Sequence, residues 1–333
     1  MNNLNKKKIY PRVLFTEPEA YSKSLRNDLP KHWNCTFKNF SNEKKLISYL
    51  NKNSFEIIIG KLGLSFDKKF FQSAKSLKIF ATPTTGLDHI DLKAASKRKI
   101  HVISLRGELS ILKKITSTAE HAWALLLACN RNLIRLVNKT KSGYWKRVGF
   151  QLNQLSGKKI GIIGYGRIGK MLAQYAKAFR MHIFIFDKNI NTAKFSNRIS
   201  SVSLKNLLST SDYIILSASY SVGDPIIMTK KNIMSIKPGA TFINISRGEL
   251  VDESAIIEAL KINKISMIGL DVLNGDSKWN NLKKIQSPLL RLSKKSDRII
   301  LTPHVGGYAK EAIESTRRFI LQKVDKVIYK FIS

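Results

Sequence analysis

The chain has 333 residues, 43% of them hydrophobic, with 58 lysines and arginines against 23 acidic residues and a formal charge of +35. This length exceeds the roughly 250 to 300 residues at which a single core stops growing, so two folded domains are expected, and the composition is that of a soluble globular protein. The basic excess runs from NKKKIY at the start to KVDKVIYK at the end without the clustering a nucleic-acid footprint needs, so a solvated basic surface is expected and a nucleic-acid partner is not.

Cys35 and Cys129 are the only cysteines and stand far apart, which indicates neither a disulfide framework nor a cysteine metal site and fits a reducing cytoplasm. No metal is expected. The N-terminus lacks the apolar stretch of a secretory signal, and no run approaches the roughly 18 apolar residues of a membrane span. A cytoplasmic, soluble protein without membrane contact is the expectation.

In chain order, short apolar runs open the sequence: RVLF, CTF, EIIIG, LKIFATP and IHVISL, spaced by helix-like segments between residue 10 and about 105. Strands alternating with helices predict a parallel sheet covered on both faces. The stretch STAEHAWALLLACNRNLIRLVN, Ser117 to Asn138, is proline-free and apolar, with Ser117 and Glu120 spaced as a capping box. A helix of this kind is expected to be buried, either between domains or against another subunit. A second strand series follows near 160–163, 182–186, 213–216, 240–245, 266–271 and 298–302, and a last helix-like segment from about Lys310 to Phe331 is free to pack back on the first series.

Gly164, Gly166 and Gly169 form G-x-G-x-x-G directly after the apolar strand KIGII and before the helix-like KMLAQYAKAF. The first glycine permits a tight turn, the second lets backbone approach a pyrophosphate, and the third allows helix and strand to pack closely. The helix N-terminus then offers free N–H groups and a positive dipole end to the phosphates. The next strand, HIFIFD, ends in Asp187, near the offset of an acid that binds ribose hydroxyls. An acid there repels a 2′-phosphate, which favours NAD over NADP, with Lys188 beside it as a counterweight.

More specific strings follow: KPGATFINISRGELVDESAI, IGLDVLNGD and LTPHVGG, together with TPTTGLDHIDL earlier in the chain. With the glycine loop these resemble, in the right order from about residue 55 to 320, the D-isomer-specific 2-hydroxyacid dehydrogenases of the phosphoglycerate dehydrogenase-like group. The resemblance implies an α/β protein with two doubly wound parallel-sheet domains. A Rossmann NAD domain, residues 109–305, would be inserted into a flavodoxin-like substrate domain, residues 1–108 plus 306–333. The site would lie in the cleft between them, and a homodimer is implied. The central position of the glycine fingerprint follows from this insertion.

By the same resemblance the catalytic arginine is Arg247, whose guanidinium fork can hold a substrate carboxylate and polarise the C2 carbonyl. The acid/base is His304, since imidazole titrates close to working pH and can both take and give a proton. The carboxylate that orients it falls on Asp276, where the family usually has Glu. Either the loop LNGDSKW moves inward to compensate, or the pair is looser and the working pH range shifts downward. Asp271, Ile245 and Ser246 are implied beside the nicotinamide, and Tyr165, Arg167 and Ile168 around the pyrophosphate. The backbone N–H groups of Thr85 and Gly86 are implied to grip the substrate carboxylate. Arg106, Lys113 and Lys114, in a loop before Ser117, are candidates for a phosphate or a second carboxylate.

The expected activity is interconversion of a D-2-hydroxy acid and its 2-oxo acid with NAD. The rival is a corepressor-like scaffold of this fold that binds NAD(H) with little turnover. A formate dehydrogenase is disfavoured because that relative has Gln at position 276.

Overall fold

The computed structural model describes residues 10–147, 149, 152–190, 193–194, 198–276 and 287–331. The chain divides into two compact units, one made of the N-terminal part up to Lys114 together with the segment from Lys310, the other running from Ile115 to Asp276 and again up to Ala309.

In the first unit, strands β1 (Arg12–Phe15), β2 (Asn34–Phe37), β3 (Ile57–Ile59), β4 (Ile79–Ala81) and β5 (His101–Ile103) lie in the order β2-β1-β3-β4-β5. All pairs are parallel. This is the flavodoxin-like order, and the wholly buried III of β3 and IFA of β4 show why: strands covered on both faces need apolar side chains in both directions. Phe66, Phe70, Phe71 and Phe80 fill one layer between sheet and helices. Asn42, Asp67 and Asp91 each cap a helix by accepting the N–H three residues on.

The last helix, Lys310–Phe331, packs on β4 and β5 of this same unit with Ile320, Leu321, Val324 and Ile328 buried. Ion pairs Arg317–Glu17, Arg318–Asp28 and Lys323–Glu108 and a stack of His101 on Phe331 at 4.3 Å fasten it. The first and last stretches of the chain therefore share one core.

The second unit holds β6 (Lys159–Ile163), β7 (His182–Phe186), β8 (Ala193–Lys194), β9 (Ile199–Ser201), β10 (Tyr213–Leu216), β11 (Ala240–Asn244), β12 (Ile265–Leu270) and β13 (Ile299–Leu301). Their order is β13-β12-β11-β10-β6-β7-β9-β8, parallel except for the β8–β9 pair. Counted from β6, this is the Rossmann order 3-2-1-4-5-6 with additions at both edges, and its switch point falls between β6 and β10. Strands β8 and β9 were not expected, because two residues followed by ISS carry no apolar run to announce a strand.

Three local expectations need correction. The helix Ser117–Asn130 is buried in the core of its own unit, where Ala122, Trp123, Leu125, Leu126 and Cys129 pack with Ile162, Ile243 and Met267. One broad apolar face against a sheet is enough to account for its composition. Its N-cap is Thr116, not Ser117, and makes no side-chain cap bond; the Thr116 hydroxyl donates to the Glu120 carboxylate instead, so the expected capping box does not form. The segment 106–116 is not all loop: Leu109–Leu112 is helical with Leu112 buried.

Candidate active site

The glycine loop leaves β6 at the switch point. Gly164 has φ +91°, and a Cβ there would lie 2.5 Å from the Ala218 backbone after β10. A Cβ on Gly169 would come 2.1 Å from the Gly164 carbonyl, so helix and loop touch backbone to backbone. Over Gly166, by contrast, a Cβ would meet nothing within 4 Å. The helix Arg167–Ala178 starts at Gly166 with no side-chain cap, so its first N–H groups face an open cradle. A pyrophosphate fits this arrangement: tight where the chain must turn, open where phosphate must approach.

Asp187 follows β7, accepting the N–H of Tyr165 at 2.8 Å on one oxygen and that of Asn189 at 3.0 Å on the other. The carboxylate thus ties the second strand to the glycine loop, and its two oxygens retain acceptor capacity of the kind ribose hydroxyls would need. Arg167 donates to the Ile115 carbonyl at 2.6 Å, and burial lowers its pKa from the ordinary arginine value. Ile168 lies in the first turn of the helix, packed against the core cluster. Ile245 and Ser246 follow β11, and the Ala218 carbonyl accepts the Ser246 hydroxyl.

Arg247 opens a turn that Asn244 brackets from below. The Asn244 amide donates to the Arg247 carbonyl at 3.0 Å while its oxygen accepts the Ser246 N–H at 2.9 Å. The half-buried guanidinium donates to the Ser246 carbonyl at 2.9 Å. Gly248 follows, where a Cβ would lie 2.1 Å from the Asn274 nitrogen. Only glycine lets the arginine turn and the Leu273–Asp276 loop lie in contact.

That loop carries Asp276. Its backbone is held by two glutamates: Glu253 accepts the Asn274 N–H at 2.8 Å, and Glu249 accepts that of Gly275 at 3.0 Å. Asp276 Oδ2 then lies 3.0 Å from His304 Nδ1. An ionised carboxylate only accepts, so Nδ1 bears the hydrogen and Nε2 is left for proton exchange. Asp276 is 9% exposed and His304 29%, so the orienting group is covered and the imidazole edge is accessible. His304 itself has φ +55°, a left-handed conformation that costs a residue with a Cβ roughly 1 to 2 kcal/mol.

The Asp271 side chain is 3% exposed and turns into the protein. One oxygen accepts from Thr302 Oγ1 at 2.6 Å and Val305 N–H at 2.9 Å, with His121 Nε2 at 3.3 Å; the other accepts Gly306 N–H at 2.7 Å. Burial opposes its charge, but the bonds from His121, Thr302 and the Val305 and Gly306 amides outweigh that and hold the carboxyl below the usual carboxylate range.

In the first unit, the hydroxyl of Thr84 donates to the Gly86 carbonyl at 2.8 Å and shapes the turn containing Thr85 and Gly86. Among the described residues neither N–H of that pair donates to a protein acceptor. Lys113 and Lys114 are exposed. No group of three metal-ligating side chains occurs among the described residues. A cavity of about 860 Å³ in the second unit, lined among others by Arg135, Asp212 and Arg298, lies at the amino ends of the strands. Ligands of open parallel sheets bind at the carboxyl ends, so this cavity is separate from the chemistry.

Asn244, Glu249, Glu253, His121 and Thr302 escaped the sequence reading. Each acts by holding backbone or another side chain, and the one signal available was a polar residue inside an apolar string, as in FINIS and AEHAWALLLA.

A Rossmann sheet with a glycine cradle, an acid after the second strand and a histidine–carboxylate pair at the strand ends defines a dinucleotide-dependent oxidoreductase. Residues 123–306 match the model of the D-isomer specific 2-hydroxyacid dehydrogenase NAD binding domain, and the chain belongs to that family; its dinucleotide is NAD. A glyoxylate reductase of Pyrococcus furiosus is 31% identical over 277 residues, covering 81% of this chain and 78% of that protein. A D-3-phosphoglycerate dehydrogenase of Archaeoglobus fulgidus is also 31% identical, over 90% of this chain, which spans only 54% of the relative's length. A D-lactate dehydrogenase of Aquifex aeolicus, solved with NAD and lactic acid, superposes with a TM-score of 0.78 at 26% identity, covering 96% of this chain and 95% of that one. Against these relatives the scaffold reading is not favoured. No helix among the described residues is long and apolar enough to cross a membrane.

Proposed function

We propose that the protein reduces a small 2-oxo acid to the D-2-hydroxy acid, and the reverse, with His304 as proton carrier, Asp276 as its orienting carboxylate and Arg247 as the substrate clamp. The observation that carries this reading is the 3.0 Å pairing of His304 Nδ1 with Asp276 Oδ2. Bound NAD supplies the nicotinamide C4 that gives or takes the hydride. His304 Nε2 delivers the proton to the nascent alkoxide in reduction and removes it in oxidation. The Asp276 carboxylate stabilises the imidazolium between these events. Arg247 offers donors to the carboxylate and to the C2 oxygen as charge develops there.

Gly164, Gly166 and Gly169, with the helix start at Arg167 and Ile168 and the backbone of Tyr165, hold the pyrophosphate. Asp187 takes the ribose, and Ile245 and Ser246 flank the nicotinamide. Asp271 contributes to the same ring at most one remaining lone pair. Thr85 and Gly86 enter with two N–H donors suited to a carboxylate.

A homodimer is part of the proposal. The helix Leu133–Lys141 has no buried residue, and Leu133, Ile134, Val137 and, at 86%, Trp145 are exposed, giving a second copy an apolar face to cover. The cytoplasm suits two unpaired thiols.

The test is NADH consumption with glyoxylate, pyruvate, hydroxypyruvate and its 3-phosphate, in wild type and Arg247→Ala. Turnover of at least one acid, lost in the variant with NADH affinity retained, is expected. NADH binding without turnover of any acid overturns the reading.

A further inference from the structure

We infer that His121 is a positioning residue for the proton carrier, acting through the Asp271–Thr302 pair. The inference rests on the reading of His304 given above and extends it to a side chain in the middle of an apolar helix. His121 is on the helix Ser117–Asn130, 22% exposed, and its Nε2 lies 2.8 Å from Thr302 Oγ1 and 3.3 Å from Asp271 Oδ1.

The hydrogen positions follow from what each group can do. The Thr302 hydroxyl has one hydrogen, and its 2.6 Å contact with Asp271 Oδ1 uses it. Thr302 Oγ1 can therefore only accept from His121, which makes Nε2 the protonated nitrogen. A single N–H is shared between a hydroxyl oxygen and a carboxylate oxygen that already bond each other. The three groups close a triangle in a covered place, where an N–H is the complement that two neighbouring acceptors require.

The triangle governs the reacting histidine because Asp271 clasps the segment that bears it. Its backbone carbonyl accepts the His304 N–H at 2.9 Å. Its side chain accepts the next two amides, Val305 and Gly306, at 2.9 and 2.7 Å. Three consecutive N–H groups thus converge on one residue, and this is what holds His304 at φ +55° against its ordinary preference. A carboxylate that gathers two consecutive amides must stay ionised and fixed in rotation although buried, and His121 and Thr302 supply the side-chain donors that do both. Space enforces the arrangement: a Cβ on Gly306 would lie 2.9 Å from Asp271 Oδ2 and 3.6 Å from the His121 ring.

The experiment compares wild type with His121→Phe, His121→Gln and Thr302→Val. It reads kcat and KM for the accepted 2-oxo acid and for NADH, NADH affinity by fluorescence, and deuterium uptake of the peptide spanning 302–307. Phe fills the ring's place without a donor and is expected to lower kcat about 30 to 100-fold, the scale of an ångström's misplacement, with NADH affinity changed less than about threefold. Deuterium uptake at 302–307 should rise at least tenfold. Gln restores an N–H and should recover kcat to within about fivefold of wild type. Thr302→Val removes the hydroxyl without disturbing the helix and should reproduce the Phe phenotype, which keeps the inference falsifiable if His121→Phe folds poorly.

Unchanged kcat and unchanged exchange in Phe and Val, or a Gln variant as impaired as Phe, overturns it. If wild type itself reduces no 2-oxo acid, the oxidoreductase reading falls, and the role in catalysis inferred here falls with it. The exchange measurement then still decides whether His121 holds the segment.

Discussion

His304 Nδ1 and Asp276 Oδ2 are 3.0 Å apart, although Asp276 is one methylene shorter than the glutamate usual at its position. Of the two alternatives raised by the sequence, inward displacement of the loop or a loose pair, the second does not describe this contact, which is at full hydrogen-bond distance. Gly248 allows the Leu273–Asn274 backbone to come within van der Waals reach, and Glu249 and Glu253 draw the Gly275 and Asn274 amides toward them. Residues 277–279 of LNGDSKW lie outside the described residues. Asp276→Asn retains shape but removes the charge that favours an imidazolium. It is expected to lower kcat/KM about 10² to 10³-fold while NADH affinity stays within a factor of three, as measured by steady-state kinetics and fluorescence titration. Asp276→Glu is expected to be slower than wild type as well, since the aspartate already reaches His304 at 3.0 Å and a longer side chain has to fold back to make the same contact.

The glutamates that hold the loop do so at an electrostatic cost. Burial raises the Glu253 pKa from its ordinary value, and the Glu249 and Asp276 carboxylates add to this. A group whose folded pKa is raised binds its proton more tightly in the native state, so stability falls as pH rises through the window above the unfolded value of about 4.5. Glu253→Gln keeps an oxygen for the Asn274 amide and removes the charge. We expect Tm at pH 7 to rise by about 1 to 3 °C, with the difference vanishing near pH 4. A thermal scan series across pH 4 to 8 checks it; a lower Tm for Gln at pH 7 would show that the charge is stabilising.

The chain's architecture was legible wherever a strand was apolar on both faces. RVLF, EIIIG, KIGII and YIIL announce themselves because a parallel sheet buried on both sides leaves no polar alternation to confuse the pattern. The strands β8 and β9 were invisible for the same reason reversed, being short, polar and at an edge. The helix Ser117–Asn130 was readable as buried but not as to its partner, because apolar composition says how much surface is covered and not by what. At the site, residues that would touch NAD or substrate stood out through motif strings, whereas Asn244, Glu249, Glu253 and His121 act on backbone groups from distant points of the chain. No spacing rule records such a contact.

Burial raises the thiol pKa of Cys129 to about 12 and that of Cys35 to about 11. Cys129 is also packed in the core cluster, with its sulfur 3.3 Å from where a Cβ on Gly269 would stand. At pH 8 neither thiol then has an appreciable thiolate fraction, and the thiolate is the reactive species. Native protein is expected to react with Ellman's reagent at least 100-fold more slowly than the same protein in guanidinium, Cys129 last of all. Fast labelling of both thiols in the native state would place Cys129 outside the core.

With Asp187 as the proposed ribose acid, the choice between the two dinucleotides is expected to turn on its charge and its place. Its carboxylate is bonded to the Tyr165 and Asn189 amides, so it cannot swing aside when a 2′-phosphate arrives. Asp187→Ser keeps an oxygen for the Tyr165 amide and removes the repulsion, leaving Lys188 beside the vacated position. The ratio of kcat/KM for NADPH to that for NADH is expected to rise at least tenfold, with kcat for NADH falling less than its affinity because the ribose contact, not the reacting centre, has changed. Steady-state kinetics with both cofactors at a saturating 2-oxo acid give the ratio. A ratio that does not move would mean that the acid serves the glycine loop alone and that cofactor choice is made elsewhere.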